Sequence, residues 1–89
     1  MKKPPLDPAC ADLAPTAGTL TPYDEEHLIT YLRLLDAERD RADWREVAQL
    51  VLHIDPNKDP DRAHRSFETH MARAHWMTQQ GYRDLLTGD

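Results

Sequence analysis

From Leu20 onward the chain reads as three helix-period stripes of apolar residues separated by short polar breaks. In the first, Leu28, Tyr31, Leu32 and Leu35 recur at the three- and four-residue intervals of one helix face. Thr21 can cap this helix, Pro22 suits its first position, and Asp24 completes a T-x-x-D capping box. Asp24, Glu25 and Glu26 then place negative charge at the positive end of the helix dipole. The stripe fades over Ala37 to Arg39, where the run becomes polar.

A second helix starts at the cap Asp43 and carries Trp44, Val47, Ala48 and Val51. It must end before Pro56, because proline lacks a donor and disfavours helical geometry at the preceding residue. Residues Ile54 to Pro60 form an extended polar turn. Asp59 and Pro60 open a third, longer helix with the stripe Ala63, Phe67, Met71 and Ala74, His70 and Met77 at its edges, and Gly81 as terminator. Tyr82 to Leu86 predict one more helical turn. No segment alternates with strand period. The expected fold is an all-α, helix-turn-helix-like bundle of three main helices, a short C-terminal turn, and an extended turn between helices two and three.

Outside this pattern, residues 1–19 hold Pro4, Pro5, Pro8 and Pro15 and few large apolar residues, which predicts a disordered N-terminal arm. The domain proper spans 20–86, and 87–89 are a tail. Cys10, the only cysteine, cannot form an internal disulfide and is expected as an exposed bystander in a reducing compartment. The start Met1–Pro5 has no apolar stretch behind its lysines, so no secretory signal is expected, and no run reaches the ~20 apolar residues of a membrane span. These readings point to the cytoplasm.

Charge changes the picture more than size does. Sixteen acids against eleven bases leave a net charge of −5. Residues 21–42 hold six acids and three bases, residues 43–59 four and two, and residues 60–89 four of each. DNA binding draws on Lys and Arg that neutralise phosphates, and this distribution opposes it. Arg62 and Arg65 are the candidate DNA-facing residues on helix three, flanked by Asp59 and Asp61.

Catalysis and metal binding find little support. The three glycines form no phosphate loop, and no nucleophile is paired with a base. His64, His70 and His75 do not share a face at metal-ligand spacing, so no metal or cofactor is expected. His64 and Glu68 read as a solvated pair, and His70 as a packed side chain with satisfied nitrogens. Large apolar residues off the stripes matter more. At about 100° per residue, Leu34, Leu50 and Trp76 fall opposite their stripes, where each is either covered or open to a protein partner.

The stretch from Leu20-Thr21-Pro22 to Leu85-Leu86 resembles a bacterial domain family described as an extended-turn variant of the helix-turn-helix, common on integrative and conjugative elements. The resemblance rests on Tyr31-Leu32-Arg33-Leu34-Leu35-Asp36, Asp43-Trp44-Arg45-Glu46-Val47-Ala48, Ile54-Asp55-Pro56, and Trp76-Met77 leading into Gly81-Tyr82-Arg83-Asp84-Leu85-Leu86. Family members that carry a second domain activate transcription by binding DNA through a basic face. Members that consist of this domain alone and have a negative surface inhibit.

The resemblance therefore implies an antiactivator, monomeric when free. It would sequester an FseA-type transcriptional activator, and a TraR-type quorum-sensing regulator, that control excision and transfer of a conjugative element. The alternative is a sequence-specific DNA-binding regulator. The expected partner-binding residues are Trp76, Tyr82, Leu85, Leu86 and Leu34, with Tyr82 and Leu85 equally able to close the core. Asp24, Glu25, Asp36 and Asp40 are candidates for steering a basic partner.

Overall fold

A computed structural model describes residues 5–81. Its helices are α1 (Pro22–Glu26), α2 (Leu28–Arg39), α3 (Trp44–Leu50) and α4 (Pro60–Trp76), the last widening into a π-helical turn over Met77–Gly81. There is no strand among the described residues. The predicted all-α fold is thus observed, with helix, extended turn and helix in the expected order. Tyr82 to Leu86 lie outside the described residues.

The capping box forms as the sequence predicts: Thr21 Oγ1 accepts the Asp24 N–H at 3.1 Å, and the Thr21 N–H donates to Asp24 Oδ2 at 2.9 Å. The helix it opens breaks after only five residues. His27, at φ −107° and ψ 22°, separates α1 from α2. Its backbone N–H is shared between Tyr23 O and Asp24 O, and its ring also engages Tyr23 O, so a side chain competes for a carbonyl of the helix ladder.

Beyond the break, α2 turns a different face inward from the one its leucines mark. Thr30, Tyr31 and Leu34 are buried, whereas Leu32 is 57 % exposed and Leu28 and Leu35 are partly buried. The buried face is rotated by roughly 100° from the predicted stripe. Polar residues share the inner face, so hydropathy alone points to the wrong side. The core gathers Leu34 from α2, Val47 and Ala48 from α3, and Ala63, Met71 and Ala74 from α4.

The turn between α2 and α3 closes with Arg41 in the left-handed region, at φ 59°. The Ala42 N–H bonds Ala37 O at 2.9 Å and the Arg41 N–H bonds Glu38 O at 3.0 Å. This is the closure glycine usually supplies. Asp43 caps α3 by accepting the Arg45 N–H at 3.1 Å. The connection 51–59 is anchored, because Leu52, Ile54 and Pro56 are buried while Asp55 accepts the N–H groups of Asn57, Lys58 and Asp59. His53 stands between them at φ 61°.

Where composition predicts a disordered arm, residues 5–19 lie against the bundle as non-helical chain, mostly along α4. Ala14 is buried, and Cys10 is half-buried against the core instead of standing free. The anchoring groups are polar side chains of α1, of α4 and of His27 between α1 and α2 that reach arm main-chain atoms, an interaction that apolar content does not register. Burial raises the Cys10 pKa, which holds the thiol further from the reactive thiolate.

Candidate macromolecular interface

At about 100° per residue, α4 presents three strips. Ala63, Phe67, Met71 and Ala74 pack on the core. Arg62, Ser66, Thr69, His70 and Arg73 face the arm and α1. The third strip meets solvent.

The arm-facing strip is built on two buried polar centres. In one, Arg73 and Asp24 form an ion pair at 2.7 Å with side chains 4 % and 0 % exposed. The guanidinium also donates to Ala17 O at 2.6 Å and Thr19 O at 3.0 Å, while Tyr31 donates its hydroxyl to Asp24 Oδ1 at 2.7 Å. Burial pushes the Asp24 carboxyl up, but its hydrogen bonds from Arg73, Thr21 and Tyr31 outweigh that and leave it below the ordinary carboxylate value. The phenol of Tyr31 is raised, by burial first and by the adjacent carboxylate second.

In the other centre, His70 bonds Ser66 O through Nδ1 at 2.7 Å and Tyr23 Oη through Nε2 at 2.6 Å. A carbonyl can only accept, so Nδ1 carries the proton and the Tyr23 hydroxyl donates to Nε2. Tyr23 Oη in turn accepts the Ala11 N–H at 2.9 Å, and Ser66 Oγ donates to Ala11 O at 3.2 Å. Burial lowers the His70 pKa and raises that of Tyr23 to about 12, so both are neutral near pH 7. His27 stacks on Tyr23 with ring centroids 3.8 Å apart. Its two nitrogens meet the carbonyls of Tyr23 and Ala9, each at 2.7 Å. Every group in these centres is engaged in holding helices and arm together, and His70 is the packed, satisfied histidine expected.

The solvent strip carries Asp61, His64, Arg65, Glu68, Ala72 and His75. His64 pairs with Glu68 at 3.1 Å and His75 with Glu38 at 2.8 Å. Arg62, at the edge, is held by Asp12 at 2.6 Å. That leaves Arg65 as the one arginine of α4 with no ion-pair partner among the described residues. Across residues 5–81, eight Lys and Arg face fourteen Asp and Glu. No group of His, Cys, Asp and Glu among the described residues could hold a metal ion.

The predicted partner-binding residues separate. Leu34 does not belong to a surface: it is fully buried in the core, because α2 is rotated relative to its leucine stripe. Trp76 is half-buried, with the Arg73 guanidinium 3.8 Å from its ring centroid. Tyr82, Leu85 and Leu86 lie outside the described residues. Asp24 cannot steer a partner, being buried, whereas Glu25, Asp36 and Asp40 are exposed. Leu50 is 64 % exposed, on the outer side of α3 as expected. Sequence reasoning missed an apolar groove of about 230 Å³ lined by Leu28, Tyr31, Leu32, Leu35, Ala74 and Met77. It also missed the Arg73–Asp24 pair. An arginine one position from the stripe residue Ala74 was the available signal, since such a charge needs a buried partner.

The chain belongs to the RovC DNA-binding domain family, described as a T6SS transcription factor DNA-binding domain, whose model matches residues 6–87. That match takes in most of the arm as well as the helices, and it makes the chain a domain of transcription regulation and not of catalysis. No curated protein matches the chain. No helix among the described residues is long and apolar enough to cross a membrane.

Proposed function

We propose that this chain regulates transcription as an antiactivator, by occupying a protein partner instead of gripping DNA, in the manner of the QseM antiactivator that its sequence resembles. The observation that carries the reading is the solvent strip of α4. A helix meant for a DNA groove needs free cations there, and this one offers Arg65 among carboxylates and paired histidines. Like charge on Glu25, Asp36, Asp40, Asp43 and Asp61 repels phosphates and favours a basic protein. The partner proposed is an FseA-type activator, with a TraR-type regulator as a second target, both cytoplasmic. Trp76 and the groove of Leu28, Leu32 and Leu35 supply apolar anchors of the kind that dominate protein interfaces. Competition of this kind needs no chemistry, since a free concentration about one hundred times Kd leaves ~1 % of the target uncaptured.

Co-purification with an FseA-type activator tests the reading, and Trp76→Ala should abolish capture while circular dichroism stays near wild type. Recovery of no activator sinks it. The second reading, direct operator binding through Arg65, is favoured by the description of the family. Gel shifts at low salt decide between the two: sequence-selective retardation that disappears in Arg65→Ala establishes operator binding.

A further inference from the structure

We propose that the N-terminal arm is a built-in occupant of an anion-recognising surface, with Asp7 and Asp12 standing where phosphates of a DNA backbone would sit. Asp12 Oδ1 lies 2.6 Å from Arg62 Nε, and Asp7 Oδ1 lies 3.2 Å from Arg33 Nη1 and 2.8 Å from His53 Nε2. These bases come from three separate places, α4, α2 and the connection 51–59. The two acids are only five positions apart in sequence, so their Cα atoms lie within roughly 17 Å of one another and one short stretch of arm engages all three bases. His53 reaches Asp7 from a backbone at φ 61°, a conformation non-glycine residues rarely adopt.

The arm does not depend on these carboxylates for its position. Its main chain is held independently at Ala9 O by His27, at Ala11 by Tyr23 and Ser66, at Ala14 N by Thr69, and at Ala17 O and Thr19 O by Arg73. The acids are 52 % and 63 % exposed, and exposed pairs of this kind contribute little to stability. Their consequence is electrostatic: Arg33 and Arg62 are neutralised by the chain itself. A fold of a DNA-binding family is thereby kept from DNA by its own N-terminal segment, whichever protein partner it has.

The test is the affinity of the full chain for a short labelled duplex of random sequence, read by fluorescence anisotropy over a salt series. Asp7→Asn with Asp12→Asn should tighten binding roughly tenfold at low salt and steepen the log–log salt dependence by about two, one phosphate for each arginine freed. Glu26→Gln with Glu46→Gln changes net charge equally at exposed acids of α1 and α3 that pair with no base among the described residues, and should gain far less than the arm pair. Adding Arg33→Ala and Arg62→Ala to the arm pair should cancel the gain. Equal gains from both acid pairs would reduce the effect to bulk charge and overturn the proposal. No gain in an arm pair that melts like wild type overturns it as well; if that pair fails to fold, Asp12→Asn alone is read against the same expectation. A chain that captures no activator sinks the antiactivator reading and leaves this one standing.

Discussion

The two buried faces of α4 hold the domain together by different means. Toward α2 and α3 the contact is apolar: Ala63, Met71 and Ala74 share one core with Leu34 of α2 and Val47 and Ala48 of α3, and small residues on α4 let the helices approach closely. Toward the arm and α1 the contact is a polar lattice of Arg73, Asp24, Tyr31, His70, Tyr23 and Ser66. The apolar side tolerates many residues of suitable volume. The polar side tolerates few, because each donor there has an assigned acceptor and an unpaired group in a low-dielectric interior is costly. Binding strength thus comes mainly from one side and the definition of the arm's path from the other.

Breaking the polar side should have the largest effect. Arg73→Met strands the Asp24 carboxylate and should cost about 3–5 kcal/mol by urea denaturation. Adding Asp24→Asn removes the stranded charge and should recover part of that loss; a strictly additive pair would show that the two residues do not act as a unit. On the apolar side, Leu34→Ala should cost about 3 kcal/mol through lost burial and a cavity. If it left stability unchanged while weakening partner capture, Leu34 would be a surface residue and the observed rotation of α2 would be wrong.

A smaller change sharpens the contrast in the opposite direction. Thr30 Oγ1 is the buried side-chain polar atom without a partner among the described residues. Thr30→Val keeps the shape and removes the unsatisfied hydroxyl, so it should raise stability by about 1 kcal/mol in the same denaturation assay.

Acid should act on the polar side first. The folded state lowers the His70 pKa below its ordinary 6.5, so the unfolded chain binds this proton more readily. The stabilisation is complete above pH 6.5 and is lost as pH falls through the depressed folded value. Asp24 follows in a separate window below 3.8, since its pKa is also lowered. The drop in Tm between neutral and mildly acid pH should therefore be shallower in His70→Asn than in wild type, and an unchanged slope would remove His70 from this role.

Much of the fold was legible residue by residue. The caps Thr21 and Asp43, the limit set by Pro56, the start at Pro60 and the apolar face of α4 follow from local backbone chemistry and helix period, and they appear where expected. The misreadings share one cause. The inner face of α2 and the arm-facing strip of α4 are rich in polar groups, so a hydrophobic pattern assigned Leu34 to the outside and gave no sign that Asp24 is buried or that residues 5–19 lie along α4.

By itself, then, the sequence determined where the capped helices start, the class of fold, and the acid excess that weighs against phosphate binding. Those are properties of near neighbours and of sums. The tertiary structure alone decided which face of α2 turns inward, that Arg73 and Asp24 meet across 49 positions, and that Asp7 and Asp12 cover Arg33 and Arg62. A buried polar pair has no periodicity to betray it. Its stability depends on a partner far along the chain that becomes a neighbour only once the helices have packed.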